Sequence, residues 1–449
     1  MKGKSKQMES LGLTIIHPCC AAIDVGSMMM MVAYSDTQGS QYLLEVDAFT
    51  ESLQALADTL KQAGVSNVAM EATGVYWIVV YEILEQRGFK VTLVNARHFK
   101  NVDAQKTDVK DCQWLHQLHA YGLLRASHIA KEIYRELKSY LHERGVLQKQ
   151  KSDTLNRIHK LLTQMNIKVQ HLVSDIEGVS AMQLLRGIAK GITDPEQLLS
   201  LIDVRKLKAN REDLIKSLNG MYKKQFVVIL QHALKAYDFF KEQMKAYEML
   251  IEEVLKTMLP KDEKDYRPVI KNKTGLVRKN QYSINIKEYL KHIIGVDVTS
   301  IDGIDEISVL EIISVTGLDM NKWLSAEHFT SWLNLSPRPK KSGGKTIGHE
   351  RRFTNNKATQ AFRMAAQSMW QNKGSLGYLY RRLSAQKGSK KAIKAIARKL
   401  AVIFYTMVKN KTEYDKNKLQ VHTQRQRAKR ISFLQKEASK YGFILQNVA

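Results

Sequence analysis

The chain has 449 residues, of which 44% are hydrophobic and 25% are charged, as expected of a globular protein with two or three domains. No segment reaches the roughly 18 uncharged apolar residues that a membrane span needs, and the first 20 residues do not resemble a secretory signal. Three cysteines exclude a disulfide framework and favour a reducing cytoplasm, while a net charge of +26 favours a polyanionic partner.

Residues 1–130 are predicted to form an α/β domain with a mixed sheet. Three β-rich runs span residues 14–48, and helical spacing of apolar residues follows over 50–64, with a threonine at its start as the expected N-cap. A strand, a helix and another strand are predicted up to Asn95. A last helix is predicted from Asp108 to Leu124.

The remaining chain is predicted to be mainly helical. Residues 131–180 space leucine and isoleucine by three and four, which predicts long helices in an antiparallel hairpin or coiled coil. We assign 131–290 to a helical linker region with an insertion of unknown role, and 291–449 to a C-terminal domain. Within that domain, 301–317 is typical of either half a helix-hairpin-helix that holds a phosphate or a plain buried helix.

The charge is concentrated in the C-terminal part. Residues 1–130 carry 11 Lys+Arg against 13 Asp+Glu, whereas residues 331–449 carry 27 Lys+Arg against 4 Asp+Glu. A solvated surface usually mixes both signs, so this bias favours nucleic acid as the partner, with a basic tail that aids solubility as the alternative.

Four acidic residues of the near-neutral domain are candidate metal ligands. Asp24 and Glu71 each follow a predicted strand, and strand ends at one edge of a parallel sheet are where α/β folds place their sites. Asp108 and Asp111 lie on one face of the last helix. Each acid alone is more typical of a turn, a cap or a solvated face. If the four converge, their oxygen atoms suit Mg²⁺ or Mn²⁺ and metal-assisted phosphodiester cleavage.

The run that contains Asp24 has a second interpretation. An Asp-x-Gly-Ser turn between strands also opens sugar kinases and actin-type ATPases, where it contacts nucleotide phosphate. Those folds need a second phosphate-binding turn and an adenosine site further along. Past residue 130 this chain has helices and basic loops instead.

A basic loop around Ser342 is the second candidate site. The glycines after the serine allow its backbone to approach a phosphate closely. Its Gly-Gly-Lys-Thr run is not a P-loop, because the first glycine of that motif would fall on Pro339. From spacing alone, a flexible loop that contacts DNA phosphates is favoured over a nucleophile. The predicted nucleic-acid contacts of this loop are Lys340, Lys341, Gly343, Gly344, Lys345, Arg351 and Arg352.

Taken in order, these motifs resemble the DEDD transposases of bacterial insertion sequences. The resemblance rests on the IDVGS, MEATGVYW and KTDVKDCQWL segments, the LSPRPKKSGG loop and the KKAIKAIARKLAVIFY helix. It covers roughly residues 15–180 and 295–415, while 181–290 is longer than the family usually has between its two domains. It implies a RuvC-like (RNase H-like) domain joined to a C-terminal transposase domain that carries a serine. Together with the spacing of residues 131–180, the expected fold is this α/β domain, then a mostly α-helical coiled-coil region, then a mainly α-helical transposase domain.

The resemblance also implies roles for individual residues. The family's four acids, which bind Mg²⁺, fall on Asp24, Glu71, Asp108 and Asp111, and its serine nucleophile falls on Ser342. It implies a cytoplasmic, nucleoid-associated recombinase that forms a covalent phosphoserine link to DNA and is guided by a structured RNA. It further implies composite active sites in a homodimer or homotetramer.

Two other functions stay open from the sequence. A RuvC-like nuclease would use water instead of Ser342 and would leave no protein–DNA adduct. A nucleic-acid-binding scaffold with inactive carboxylates would show no Mg²⁺-dependent cleavage.

Overall fold

A computed structural model describes most of the chain and divides it into two compact units, Met1–Ile129 and Ala130–Ala449. The described residues are 14–72, 74–95, 108–263, 266, 282–349, 356–415, 428 and 431–444, without the side chains of Asp108, Lys206 and His349. No helix in these ranges has both the length and the apolar character needed to cross a bilayer.

In the part of the first unit that the structure describes, a five-stranded sheet packs against three helices. Its strands are β1 (Cys20–Asp24), β2 (Met29–Ser35), β3 (Gln41–Asp47), β4 (Asn67–Glu71) and β5 (Lys90–Val94), and its helices are α1 (Thr50–Gln62), α2 (Trp77–Gln86) and α3 (Asp108–Ala120). The predicted order of elements and the mixed sheet are confirmed. Thr50 is the first helical residue of α1 rather than its cap, and α3 ends four residues before the predicted Leu124.

The order of strands in the sheet is β3-β2-β1-β4-β5. The β1, β2 and β3 strands form an antiparallel meander, while β4 and β5 run parallel to β1. The turn from β1 to β2 needs a glycine, because a Cβ atom on Gly26 would lie 2.2 Å from the carbonyl oxygen of Met29. This turn brings the chain back beside the end of β1, where Asp24 lies.

The two faces of this sheet pack against different helices. Alternate residues such as Ile23 and Met70 face a large core shared with α1 and α2. The intervening residues, Ala22 and Ala69, face a smaller cluster that includes Leu115 of α3. The strictly alternating pattern assigns every residue of β1 and β4 to one face or the other.

The described residues of the second unit are helical apart from a small two-stranded sheet. Its helices are α4 (Glu132–Gln164), α5 (Val179–Ala189), α6 (Pro195–Ser200), α7 (Arg211–Leu218), α8 (Lys224–Met258), α9 (Ile286–Ile294), α10 (Glu306–Thr316), α11 (Ala326–Trp332), α12 (Lys357–Ser368), α13 (Ser375–Lys387) and α14 (Ser389–Asn410). The strands are β6 (Pro339–Ser342) and β7 (Lys345–His349).

Helices α4 and α8 form a long antiparallel pair that joins two cores. One core combines the C-terminal half of α4 and the N-terminal half of α8 with α5, α6 and α7. The other combines the C-terminal part of α8 with α9 to α14. Long helices paired within residues 131–180 were predicted, but the structure has one long helix there, α4. Its antiparallel partner, α8, comes from residues 181–290, the part of the linker region whose role was not predicted. Supercoiling of the pair stays a prediction.

Buried charges join α4 to α8. The guanidinium of Arg144 donates to Glu248 at 2.6 and 2.8 Å and lies over the Tyr282 ring. The second oxygen of Glu248 accepts hydrogen bonds from the backbone and hydroxyl of Ser283. Further along α4, Lys151 pairs at 2.9 Å with Glu177, which lies just before α5 and also accepts a hydrogen bond from the hydroxyl of Tyr237 in α8. These contacts determine the register of the two helices.

Candidate active site

Asp24 and Glu71 end neighbouring parallel strands on the same face of the sheet. Ile23 is the register partner of Met70, so the next residues of β1 and β4 lie side by side. Glu71 is also the partner of Val94, which belongs to the cluster beneath α3. Glu71 is 4% exposed, and Asp24 is half-buried. The sheet therefore brings two of the four predicted acids together, on the side covered by α3.

Helix α3 is attached to β1 by two side chains one turn apart. The thiol of Cys112 lies 3.4 Å from the carbonyl oxygen of Ala22, and Nε2 of His116 lies 3.2 Å from that of Cys20. Four residues of helix span about 6 Å and two residues of strand span about 6.6 Å, so the two periods match. The N-terminus of α3 is thus directed toward the end of β1.

The side chains in this contact are uncharged near neutral pH. Burial lowers the pKa of His116 to about 4 and raises the pKa of the Cys112 thiol to about 12. His119, on the same face of α3, also has a pKa of about 4 because of burial and the nearby ring of His17. The contact between α3 and the sheet is therefore made by neutral polar groups.

The remaining predicted acids lie at the start of α3. Asp111 is half-buried and precedes Cys112. Asp108 is the first helical residue, and its side chain is outside the described part of the structure. Among the described residues, no three His, Cys, Asp or Glu side chains form a potential metal site. The convergence of all four acids stays a prediction.

The basic loop around Ser342 is an exposed β-hairpin. Strands β6 and β7 pair Ser342 with Lys345 and Lys341 with Thr346. The intervening residues, Gly343 and Gly344, have φ angles of +54° and +76°, as a two-residue type I′ turn requires. The loop predicted from the sequence is therefore an ordered ribbon with Ser342 at its tip.

The hairpin separates its basic residues between two faces. Lys345 shares a face with Ser342, with Cβ atoms roughly 5 Å apart in such a pair. Lys341 and Thr346 share the opposite face, and a bulge follows between Lys340 and Lys341. All of these side chains are exposed. The predicted contacts Arg351 and Arg352 lie outside the described residues.

The segment 301–317 contains a glycine turn followed by α10. The turn borders a cavity of about 690 Å³. The side chain of Asp305 accepts a hydrogen bond from the backbone N–H of Ser308, and Asp302 also lines the cavity. Two carboxylates at a helix N-terminus disfavour a phosphate there. This arrangement favours the plain buried helix over the phosphate-binding alternative.

Two family models match successive parts of the chain. A transposase model of the DEDD IS110 type matches residues 21–167, and a model of the IS116/IS110/IS902 transposase family matches residues 297–381. Together they cover just over half of the chain. The chain belongs to the IS110-type transposases. Membership in this family implies an enzyme that cleaves and rejoins DNA. Among curated proteins no match was found.

Two features of this transposase were not predicted from its sequence. Cys112 and His116 attach α3 to β1, and their i, i+4 spacing on the face that contains Asp108 was the available signal. Lys345 is the cross-strand partner of Ser342, and the Gly-Gly pair between them is a typical two-residue hairpin turn.

Proposed function

We propose that this transposase cuts DNA through a covalent bond to Ser342, with Mg²⁺ or Mn²⁺ held by Asp24, Glu71, Asp108 and Asp111. The observation that carries the proposal is the pair of contacts between α3 and β1. His116 contacts Cys20 and Cys112 contacts Ala22. If the same spacing continues for one helical turn and two strand residues, Asp108 would face Asp24.

The donor set fits a hard divalent cation. Asp24 and Glu71 offer carboxylate oxygens from adjacent strands, and in this proposal Asp108 and Asp111 would add theirs from the start of α3. Like charges this close favour a cation between them. The bound ion would supply charge neutralisation at the reacting phosphate. The strand order β3-β2-β1-β4-β5 supports the RuvC-like (RNase H-like) assignment of this domain.

The serine hairpin supports covalent chemistry. In the proposed step, Oγ of Ser342 bonds to phosphorus while the bond from phosphorus to the leaving deoxyribose oxygen breaks. The serine proton passes to a carboxylate, and the leaving oxygen takes up a proton. Lys345, on the same face, would hold the phosphate oxygens as charge develops on them. Attack by a hydroxyl of another strand on the phosphoserine reverses the step and rejoins the DNA.

The finer features implied by the family resemblance belong to the same proposal. A structured guide RNA would select donor and target DNA by base pairing, and the basic segments would bind phosphates. The acids of one subunit would act with the serine of another, in a homodimer or homotetramer. The enzyme would work in the cytoplasm, on the nucleoid.

Trapping on a suicide DNA substrate tests the nucleophile. Wild-type protein and Thr346→Ala, which removes a hydroxyl from the opposite face of the hairpin, should form a denaturation-resistant adduct. Ser342→Ala should form none. An adduct that persists in Ser342→Ala would refute the assignment, and cleavage without any adduct would favour the water-using nuclease.

The acids are tested by charge-neutral variants. Glu71→Gln and Asp108→Asn should abolish Mg²⁺-dependent cleavage and leave nucleic-acid binding nearly unchanged. Glu51→Gln, which alters an exposed acid at the start of α1, is the matched control and should keep full activity. Full cleavage by Asp108→Asn would show that Asp108 is not needed to bind the metal ion. The absence of metal-dependent cleavage in the wild type would favour a non-catalytic scaffold.

A further inference from the structure

Besides the basic hairpin that contains Ser342, a second strongly basic surface lies on α13 and α14, further along the chain. Between Glu350 and Glu413 the chain contains no acidic residue. Helices α13 and α14 pack against each other and are joined at Gly388, whose φ is +83°. The basic side chains at this junction therefore have no acidic neighbour along either helix.

Four exposed lysines cluster where the two helices meet, and we call them the tip lysines: Lys387, Lys390, Lys391 and Lys394. Lys387 ends α13, while the other three lie within the first two turns of α14. None of the four forms an ion pair with a described residue. The apolar face of α14, with Ala392 and Ile396, is buried in the core of the unit, so the lysines point outward.

The start of α14 increases the positive potential at the tip. The first turn has no acidic residue, and no side chain caps the helix. Lysines near a helix N-terminus add to the positive end of the helix dipole, an arrangement that costs stability unless an anion is close. By contrast, the exposed lysines of α8 alternate with Asp238 and Glu242, which is the usual mixed surface.

The composition of the surface restricts the kind of anion. No aromatic side chain of α13 or α14 is exposed; Tyr380, Phe404 and Tyr405 are buried and Tyr378 is half-buried. Single-stranded nucleic acid is usually held by exposed aromatic rings that stack on its bases. Lysines act as point charges on phosphates, whereas base edges are read by bidentate groups. The surface thus suits the backbone of a duplex.

We propose that the tip lysines bind the phosphate backbone of double-stranded DNA without regard to sequence. The proposal rests on the charge pattern and on the DNA substrates that family membership implies. It does not depend on the chemistry of Ser342. The tip lysines would hold the duplex DNA beside the cleavage site while another part of the protein acts on the strands.

Salt-dependent binding by the full-length chain, freed of co-purified nucleic acid, tests the proposal. The slope of log affinity against log salt changes by about 0.9 for each phosphate that the protein no longer neutralises. The K387Q/K390Q/K391Q/K394Q variant should therefore have a slope shallower by roughly 3 to 4 and bind duplex DNA roughly 10³-fold more weakly at about 0.1 M salt. The decrease in affinity should be equal for two unrelated duplexes of the same length.

Two controls separate this surface from total charge and from misfolding. K224Q/K235Q/K241Q/K245Q removes the same charge from exposed positions on α8 and should alter the slope by less than about 1. Replacing the tip lysines with arginine should restore the wild-type slope. Circular dichroism should be unchanged in all three variants, because the altered side chains are exposed. The thermal midpoint should be no lower than that of the wild type, and it should rise slightly in the glutamine variant of the tip lysines, because cations at the start of a helix oppose its dipole.

Several results would overturn the proposal. An equal decrease in affinity in the α8 variant would show an effect of net charge alone. A decrease confined to single strands or to an RNA duplex, with DNA-duplex affinity kept, would assign the surface to another partner. Adduct formation by Ser342 is measured separately, so failure of the serine chemistry would leave the binding result interpretable.

Discussion

Replacing Glu248 with alanine would leave Arg144 buried and without its carboxylate. The side chains of Arg144 and Glu248 are 4% and 5% exposed, and two hydrogen bonds join them. Removing one partner of a buried ion pair costs about 3–5 kcal/mol, because the remaining charge is not solvated. We expect a decrease of this size in the free energy of unfolding.

The same helix provides a matched exposed pair. Asp238 contacts Arg186 at 2.8 Å, but both side chains are about half exposed. Water screens such a pair, so Asp238→Ala should cost only about 0.2–1 kcal/mol. Urea unfolding of the full chain, followed by circular dichroism, compares the two variants directly.

A double variant separates the buried charge from the other contacts of Glu248. Arg144→Met with Glu248→Leu removes both charges but still leaves the Ser283 amide without its acceptor, at a cost of about 1–3 kcal/mol. The double variant should therefore be more stable than Glu248→Ala. A destabilisation by Glu248→Ala no larger than that by Asp238→Ala would refute the reasoning.

Three further outcomes are expected. Gly344→Val should strain the positive-φ turn by about 1–2 kcal/mol and slow adduct formation, whereas Gly348→Ala, which has open space and ordinary φ, should not. Burial lowers the pKa of His116 to about 4, so as pH falls below about 6.5 the unfolded chain takes up this proton before the folded protein does. His116 alone should therefore lower the free energy of unfolding by up to about 3 kcal/mol between pH 6.5 and 4, in addition to the effect of buried His119, and His116→Gln should reduce the slope in pH-dependent unfolding. Iodoacetamide at pH 8, read by peptide mass spectrometry, should label half-buried Cys19 well before buried Cys112, and equal labelling would contradict the packing of α3.

Local patterns in the sequence were sufficient for the element order of the first unit. Strand alternation and helical spacing are short-range signals, and the predicted strands and helices occur in the expected order along the chain. The same patterns placed Asp24 and Glu71 at strand ends. Their adjacency follows once β1 and β4 pair in parallel, as the structure shows. The charge asymmetry of the C-terminal part was likewise evident from composition.

Only the tertiary structure shows which distant segments of the chain pack against each other. Helix α4 could be predicted from its spacing, but its partner α8 begins 60 residues after α4 ends, and no local signal links Arg144 to Glu248. The packing of α3 on β1 through Cys112 and His116 likewise joins residues about 90 positions apart. Local preferences act over a few residues, whereas such contacts depend on which surfaces the whole chain buries together.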